Sequence, residues 1–247
     1  IETLKSVHSK LYSYADDFRF IIVGNVDLET LKPLVEKYIG SLPTSKKVEY
    51  AVKDDGVRVV EGELTNDFKA SMQQPKVSVY MTYSGDMEYN PKNRRILDLL
   101  SRALDSRYLI SIREEKGGTY GVQVQGNIEE HPNEHYMLHI QFDTNEQLAD
   151  ELIDICIAEL EKIAKEGPLA EDVAKSKEFL VKNYNNVLEN NGGWMSAIIS
   201  WKEEGYNFKE EYLGLVESIT LDDIKAMAQK ILNDGNLTKV IMRPKAK

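Results

Sequence analysis

The sequence predicts an α+β fold, a two-layer arrangement with helices packed on one face of a mainly antiparallel sheet. Two observations carry that expectation. Apolar residues alternate with period two in short, closely spaced runs, as in Val77 to Tyr83 and Tyr136 to Phe142, and these pairs of runs are separated by long blocks with helical spacing. A parallel sheet wound through βαβ units needs a more regular alternation of strand and helix and is the lesser alternative.

The elements follow in order. Leu4, Val7 and Leu11 repeat with helical spacing from Ile1, and Phe18 to Val23 is strand-like. Gly24-Asn25 ends that run. Asp27 is placed to cap a helix from Leu28 to Ile39, Glu29 lies near its positive end, and Gly40 with Pro43 supplies the stop. Thr44 to Gly56 is polar and contains the turn signal Asp54-Asp55-Gly56. Val57 to Leu64 and Val77 to Tyr83 alternate as strands. Asn90-Pro91 opens a long helical region through Leu109, and Thr119 to Ile128 and Tyr136 to Phe142 form a second strand pair. Helices are expected from about Glu146 to Lys165, from Ala170 to Leu188, and around Trp194 to Lys202 after Gly192-Gly193. Two short helices then lead to a final strand, Leu237 to Met242.

The two ends resemble each other. Shifted by 220 positions, Ile1, Leu4, Val7 and Leu11 fall on Leu221, Ile224, Met227 and Ile231, and Phe20, Ile21 and Ile22 fall on Val240, Ile241 and Met242. The organisation read from this is a segment 1–43 that closes a preceding homologous α+β domain, a linker 44–56, and a complete α+β domain 57–247. A lone helix–strand–helix segment cannot bury all its apolar faces, so residues 1–43 need a partner surface. Ile1 has no methionine before it and opens directly on a helical pattern, which reads as processing or truncation.

The formal net charge is -10 without a sustained basic stripe, which disfavours a nucleic-acid partner. No apolar run is long enough to span a membrane as a helix. The single cysteine, Cys156, lies in an apolar helical pattern and is expected to be buried. Cysteine scarcity is compatible with cytoplasm and periplasm alike.

Two segments invite a functional reading. His131-Pro132-Asn133-Glu134-His135 matches the inverted zinc-protease motif, two histidines four apart with a glutamate before the second. That chemistry needs a helix to bring both imidazoles to one face, whereas this stretch lies between two strands. His131, Glu134 and His135 are therefore expected to form a decoy motif in a hairpin connection. No metal site or other cofactor is expected in this chain.

The second segment, Ser106 to Gly121, reads SRYLISIREEKGGTYG. Arg113, in the last helical turns, and Tyr120, at the start of a strand, stand on either side of the Gly117-Gly118 break. A planar guanidinium and a directed hydroxyl suit peptide carbonyls or a carboxylate. The same residues also suit purely structural roles, Arg113 capping helix carbonyls or pairing near Glu114 and Glu115, and Tyr120 packing on the sheet.

FRFIIVGNVDLETLKPLVEKYIGSLP at Phe18 to Pro43 and SRYLISIREEKGGTYGVQVQG at Ser106 to Gly126 together resemble the insulinase-like, pitrilysin or M16, family of zinc peptidases. The resemblance implies an M16-like α+β domain from the C-terminal half, which lacks zinc and closes a chamber around the substrate. It implies substrate-backbone binding by Arg113 and Tyr120, with zinc held in an N-terminal catalytic half, either on the same chain or on a homologous subunit. A peptide substrate follows from the same resemblance, and a periplasmic setting is slightly preferred. The alternative is a non-catalytic partner or assembly module of such a complex.

Overall fold

The structure is a computed structural model that describes residues 1–16, 18–45, 53–117, 119 and 121–245. The chain divides into two compact units. One comprises Ile1–Val52 with Asn185–Glu210, and the other Lys53–Tyr184 with Glu211–Lys247.

The larger unit is built on a five-stranded sheet ordered β1-β5-β2-β4-β3. Its strands are β1 (Glu63–Ala70), β2 (Val77–Asp86), β3 (Val122–Glu129), β4 (His135–Thr144) and β5 (Leu237–Pro244). β1 and β5 run parallel, with Glu63 opposite Leu237. The pairings β5–β2, β2–β4 and β4–β3 are antiparallel. Alternation sorts the side chains: Val77, Val79 and Met81 of β2 and Leu138, Ile140 and Phe142 of β4 are buried, whereas Tyr80 between them is exposed.

Helices cover the buried face. α3 (Pro91–Tyr108) starts where the Asn90 side chain accepts the Asn93 amide at 2.7 Å and Pro91 occupies the first turn. It buries Ile96, Leu97, Leu99, Leu100, Ala103, Leu104 and Tyr108. α4 (Ala149–Glu166) buries Leu152, Ile153, Cys156 and Leu160. α8 (Leu221–Asp234) begins with a capping box in which Thr220 and Asp223 exchange hydrogen bonds, and it buries Ile224, Met227 and Ile231. Between α3 and the sheet the approach is close. A Cβ added at Gly126 of β3 would lie 2.5 Å from Leu97 Cγ and 2.8 Å from Ser101 Oγ. This is the expected α+β architecture, with helices on one face of a partly antiparallel sheet.

The sequence-predicted strand Val57 to Leu64 lies elsewhere: the ladder begins at Glu63 and runs to Ala70. Parallel pairing with β5 sets that register, and alternation in Val57 to Leu64 carries no information about a partner so distant in sequence. Val57 and Val59 instead line a cavity of about 370 Å³ with Pro132, Asn133 and His135.

The smaller unit contains α1 (Glu2–Tyr12), α2 (Leu28–Tyr38) and α6 (Asn191–Glu204), none of which buries a residue. Asp27 caps α2 as expected, accepting the Thr30 amide at 2.8 Å. Phe18 to Val23, read as a strand, joins no ladder among the described residues, because a strand requires a paired neighbour. The repeat makes the contrast quantitative. Ile224 and Ile231 of α8 are fully buried, while their counterparts Leu4 and Leu11 in α1 are 73% and 43% exposed. α5 (Ala170–Leu188) and α7 (Phe208–Ser218) complete the chain. No helix among the described residues is long and apolar enough to cross a membrane.

Candidate functional site

The segment carrying Arg113 is a continuation of α3 in altered form. After Tyr108 the helix widens into a π-helical stretch, Leu109–Glu114, with Ile112 buried. Gly117, at φ +65°, closes it, and the Gly117 amide donates to the Arg113 carbonyl at 3.2 Å. That conformation suits a residue without Cβ at a helix end.

Three residues pin this stretch to α4 and α5. Tyr108 donates its hydroxyl to the Cys156 carbonyl at 2.8 Å. Arg107 reaches Glu159 at 3.7 Å and Asp172 at 3.9 Å, all three side chains being largely buried. Lys116 pairs with Glu151 at 2.6 Å. Arg113 is different. It is exposed, and among the described residues its side chain makes no hydrogen bond or ion pair, with Glu114 and Glu115 included. Two cations of the segment are thus engaged with acidic partners, while among the described residues the guanidinium between them has no hydrogen-bond or ion-pair partner. Tyr120, the other expected substrate-binding residue, lies outside the described residues.

Cys156 is fully buried, and desolvation pushes its thiol well above the ordinary range, with Glu159 adding to the effect. It serves packing and offers no thiolate at neutral pH.

His131, Glu134 and His135 fall in the β3–β4 hairpin. His135 opens β4 opposite Glu129, and residues 130–134 form the connection, with a cis bond between His131 and Pro132. His135 Nδ1 lies 2.8 Å from the Asn133 carbonyl, and its Nε2 is 3.9 Å from Glu129. His131 Nε2 is 3.8 Å from its neighbour Glu130. Each imidazole therefore faces its own adjacent carboxylate. Among the described residues no group of three or more histidine, cysteine, aspartate or glutamate side chains can hold a metal ion, so zinc does not fit this motif. His139 contacts Thr82 Oγ1 at 3.0 Å across the β2–β4 ladder, and His8 packs on Tyr12.

A cluster that sequence reading did not identify lines a cavity of about 730 Å³ with Arg58, Glu61, Asp86 and Asn236. Asp234, ending α8, accepts the Tyr136 hydroxyl at 2.9 Å and Lys230 at 3.0 and 3.1 Å. The Lys230–Asp234 spacing of one helical turn was its sequence signal; Tyr136 arrives only through the sheet. The cluster ties α8 to β4. Burial and the Asp234 carboxylate both push the Tyr136 phenol upward.

A family model described as "Peptidase M16 inactive domain" matches residues 1–180. The chain is 22% identical over 252 residues to the "Zinc protease PQQL-like" of Arabidopsis thaliana, covering 92% of this chain and 26% of that protein. It is 23% identical over 242 residues to the "Probable zinc protease PqqL" of Escherichia coli, covering 96% and 26% respectively. The crystal structure of the periplasmic protease PqqL from Escherichia coli superposes with a TM-score of 0.79 at 19% identity, over 97% of this chain and 27% of that one. The chain thus spans about a quarter of the length of the curated relatives it matches. With the family model covering most of its length, the chain belongs to the insulinase-like, or M16, family of zinc peptidases and matches the family's inactive C-terminal domain.

Proposed function

We propose that this chain is the non-zinc portion of a zinc metalloendopeptidase, closing the substrate chamber and holding the peptide backbone through Arg113 and Tyr120. The observation that supports this most directly is the exposed Arg113, unengaged among the described residues, between the engaged Arg107 and Lys116. A guanidinium held on an anchored segment offers donors to a peptide carbonyl without first giving up a protein partner. As a carbonyl oxygen gains charge, those donors stabilise it. The zinc chemistry belongs to an N-terminal catalytic half, on the same chain or a homologous subunit.

The domain reading accompanies this proposal. Residues 1–43 close a preceding α+β domain, and the unburied faces of α1 and α2 support a need for further cover. The Escherichia coli relative is described as periplasmic, which supports the same compartment here.

The test is peptide turnover by the intact protein carrying Arg113→Ala or Tyr120→Phe, with folding checked by circular dichroism. Each loss of a hydrogen bond made to developing charge is expected to lower kcat/KM by about 100-fold to 1,000-fold. Unchanged kcat/KM in both variants removes the grip assignment. Peptide binding without turnover by the unaltered intact protein assigns the assembly role instead.

A further inference from the structure

We propose that Lys116 is a positioning residue for the substrate grip, acting through its ion pair with Glu151 to hold the last helical turn, and Arg113 within it, against α4. The inference rests on Arg113 as the grip and adds what keeps that guanidinium in place.

Arg113 lies close to a helix end. The helical stretch that carries it stops at Lys116, and Gly117 leaves it at φ +65°. The last carbonyls of a helix have no partner further along it, so a terminal turn opens readily unless something fastens it. The Arg113 carbonyl belongs to that turn and accepts the Gly117 amide at 3.2 Å. Once the turn opens, the Arg113 side chain samples many directions, and gripping a peptide then costs the entropy of fixing it again.

Upstream of Arg113 the stretch is held through its buried side. Tyr108 and Ile112 are 1% and 0% exposed, and Tyr108 donates to the Cys156 carbonyl at 2.8 Å. Arg107, with Glu159 and Asp172, fastens the start of the segment but not its end. Downstream, the described residues from 114 to 121 make one side-chain hydrogen bond or ion pair to another element, from Lys116 Nζ to Glu151 Oε1 at 2.6 Å.

Both partners stand where helix ends favour them. Lys116 is in a last turn, where unpaired carbonyls are negative, and Glu151 is in the first turn of α4, where unpaired amides are positive. Their side chains are 35% and 48% exposed, so the pair adds little to global stability. Its consequence is local: it sets how much of the time the turn carrying Arg113 is closed.

The test uses the intact protein and two neutral substitutions, Lys116→Met and Glu151→Gln, alone, together and each combined with Arg113→Ala. Peptide kcat/KM is expected to fall about 2-fold to 5-fold in either single variant and no further in the double one, since the same ion pair is lost in all three. In the Arg113→Ala background neither substitution is expected to change turnover, because the residue they position is gone. Hydrogen exchange gives a readout independent of activity. The Gly117 amide should exchange about 2-fold to 5-fold faster in Lys116→Met. Losses that multiply in the double variant, losses that persist without Arg113, or an unchanged Gly117 exchange rate overturn the proposal. Should Arg113→Ala lower kcat/KM while Lys116→Met does not, the positioning role alone falls. Parental turnover by Arg113→Ala removes the grip reading and the positioning role with it.

Discussion

Replacing Gly126 by alanine tests the packing that holds α3 and the Arg113 segment against the sheet. The new Cβ would lie 2.5 Å from Leu97 Cγ, 2.8 Å from Ser101 Oγ and 3.0 Å from Leu97 Cδ2. Neither neighbour has room to withdraw: Leu97 is 1% exposed, and the Ser101 hydroxyl is committed to the Leu97 carbonyl at 2.8 Å. Overpacking of this kind costs about 1–3 kcal/mol. Removing a glycine from a strand interior returns about 0.5–1 kcal/mol. The net expectation is a loss of about 0.5–2 kcal/mol, from the difference of those two ranges. Urea unfolding of the chain followed by far-ultraviolet circular dichroism measures it. The double variant Gly126→Ala with Leu97→Ala should show a favourable coupling, since shortening Leu97 relieves the clash. A Gly126→Ala variant within about 0.3 kcal/mol of the parent, or zero coupling in the cycle, refutes the argument.

Other perturbations probe separate parts of the molecule. Arg107→Met leaves the largely buried Glu159 and Asp172 without their shared cation and should cost about 3 kcal/mol in urea unfolding. Thr220→Ala removes the α8 cap and should cost about 1 kcal/mol. The amide and then the hydroxyl of Thr220 hold the Asp223 carboxyl below its ordinary 3.8. This stabilisation is therefore fully present above the unfolded value and is lost as pH falls through the folded one, so Thr220→Ala should flatten the acid limb of stability against pH. His131→Ala with His135→Ala should leave calorimetric zinc binding by this chain unaltered; loss of a stoichiometric site on that substitution would reinstate the motif.

Local signals were read correctly where the physics is local. Asp27 and Asn90 announce helix starts because their side chains satisfy amides three residues on. The period-two runs in β2 and β4 put Val77, Val79, Met81, Tyr83, Tyr136, Leu138, Ile140 and Phe142 in the core as the alternation predicts. The hairpin setting of His131 and His135 was legible because strands flank them on both sides. By contrast, Phe18 to Val23 has strand composition but no ladder among the described residues, and β1 was displaced toward Val57 because its register comes from β5, far along the chain. The continuation of α3 as a π-helical stretch also escaped the apolar pattern, since Tyr108 and Ile112 keep helical spacing through it.

For the Arg113 segment, the sequence by itself determined the residue types, the glycine break and the family resemblance, since these depend only on neighbours along the chain. Tertiary structure decided which charges are engaged. Glu159, Asp172 and Glu151 reach Arg107 and Lys116 from α4 and α5, and Arg113 is left exposed between them. That choice depends on how helices pack across the fold, an arrangement that spacing along one helix does not encode.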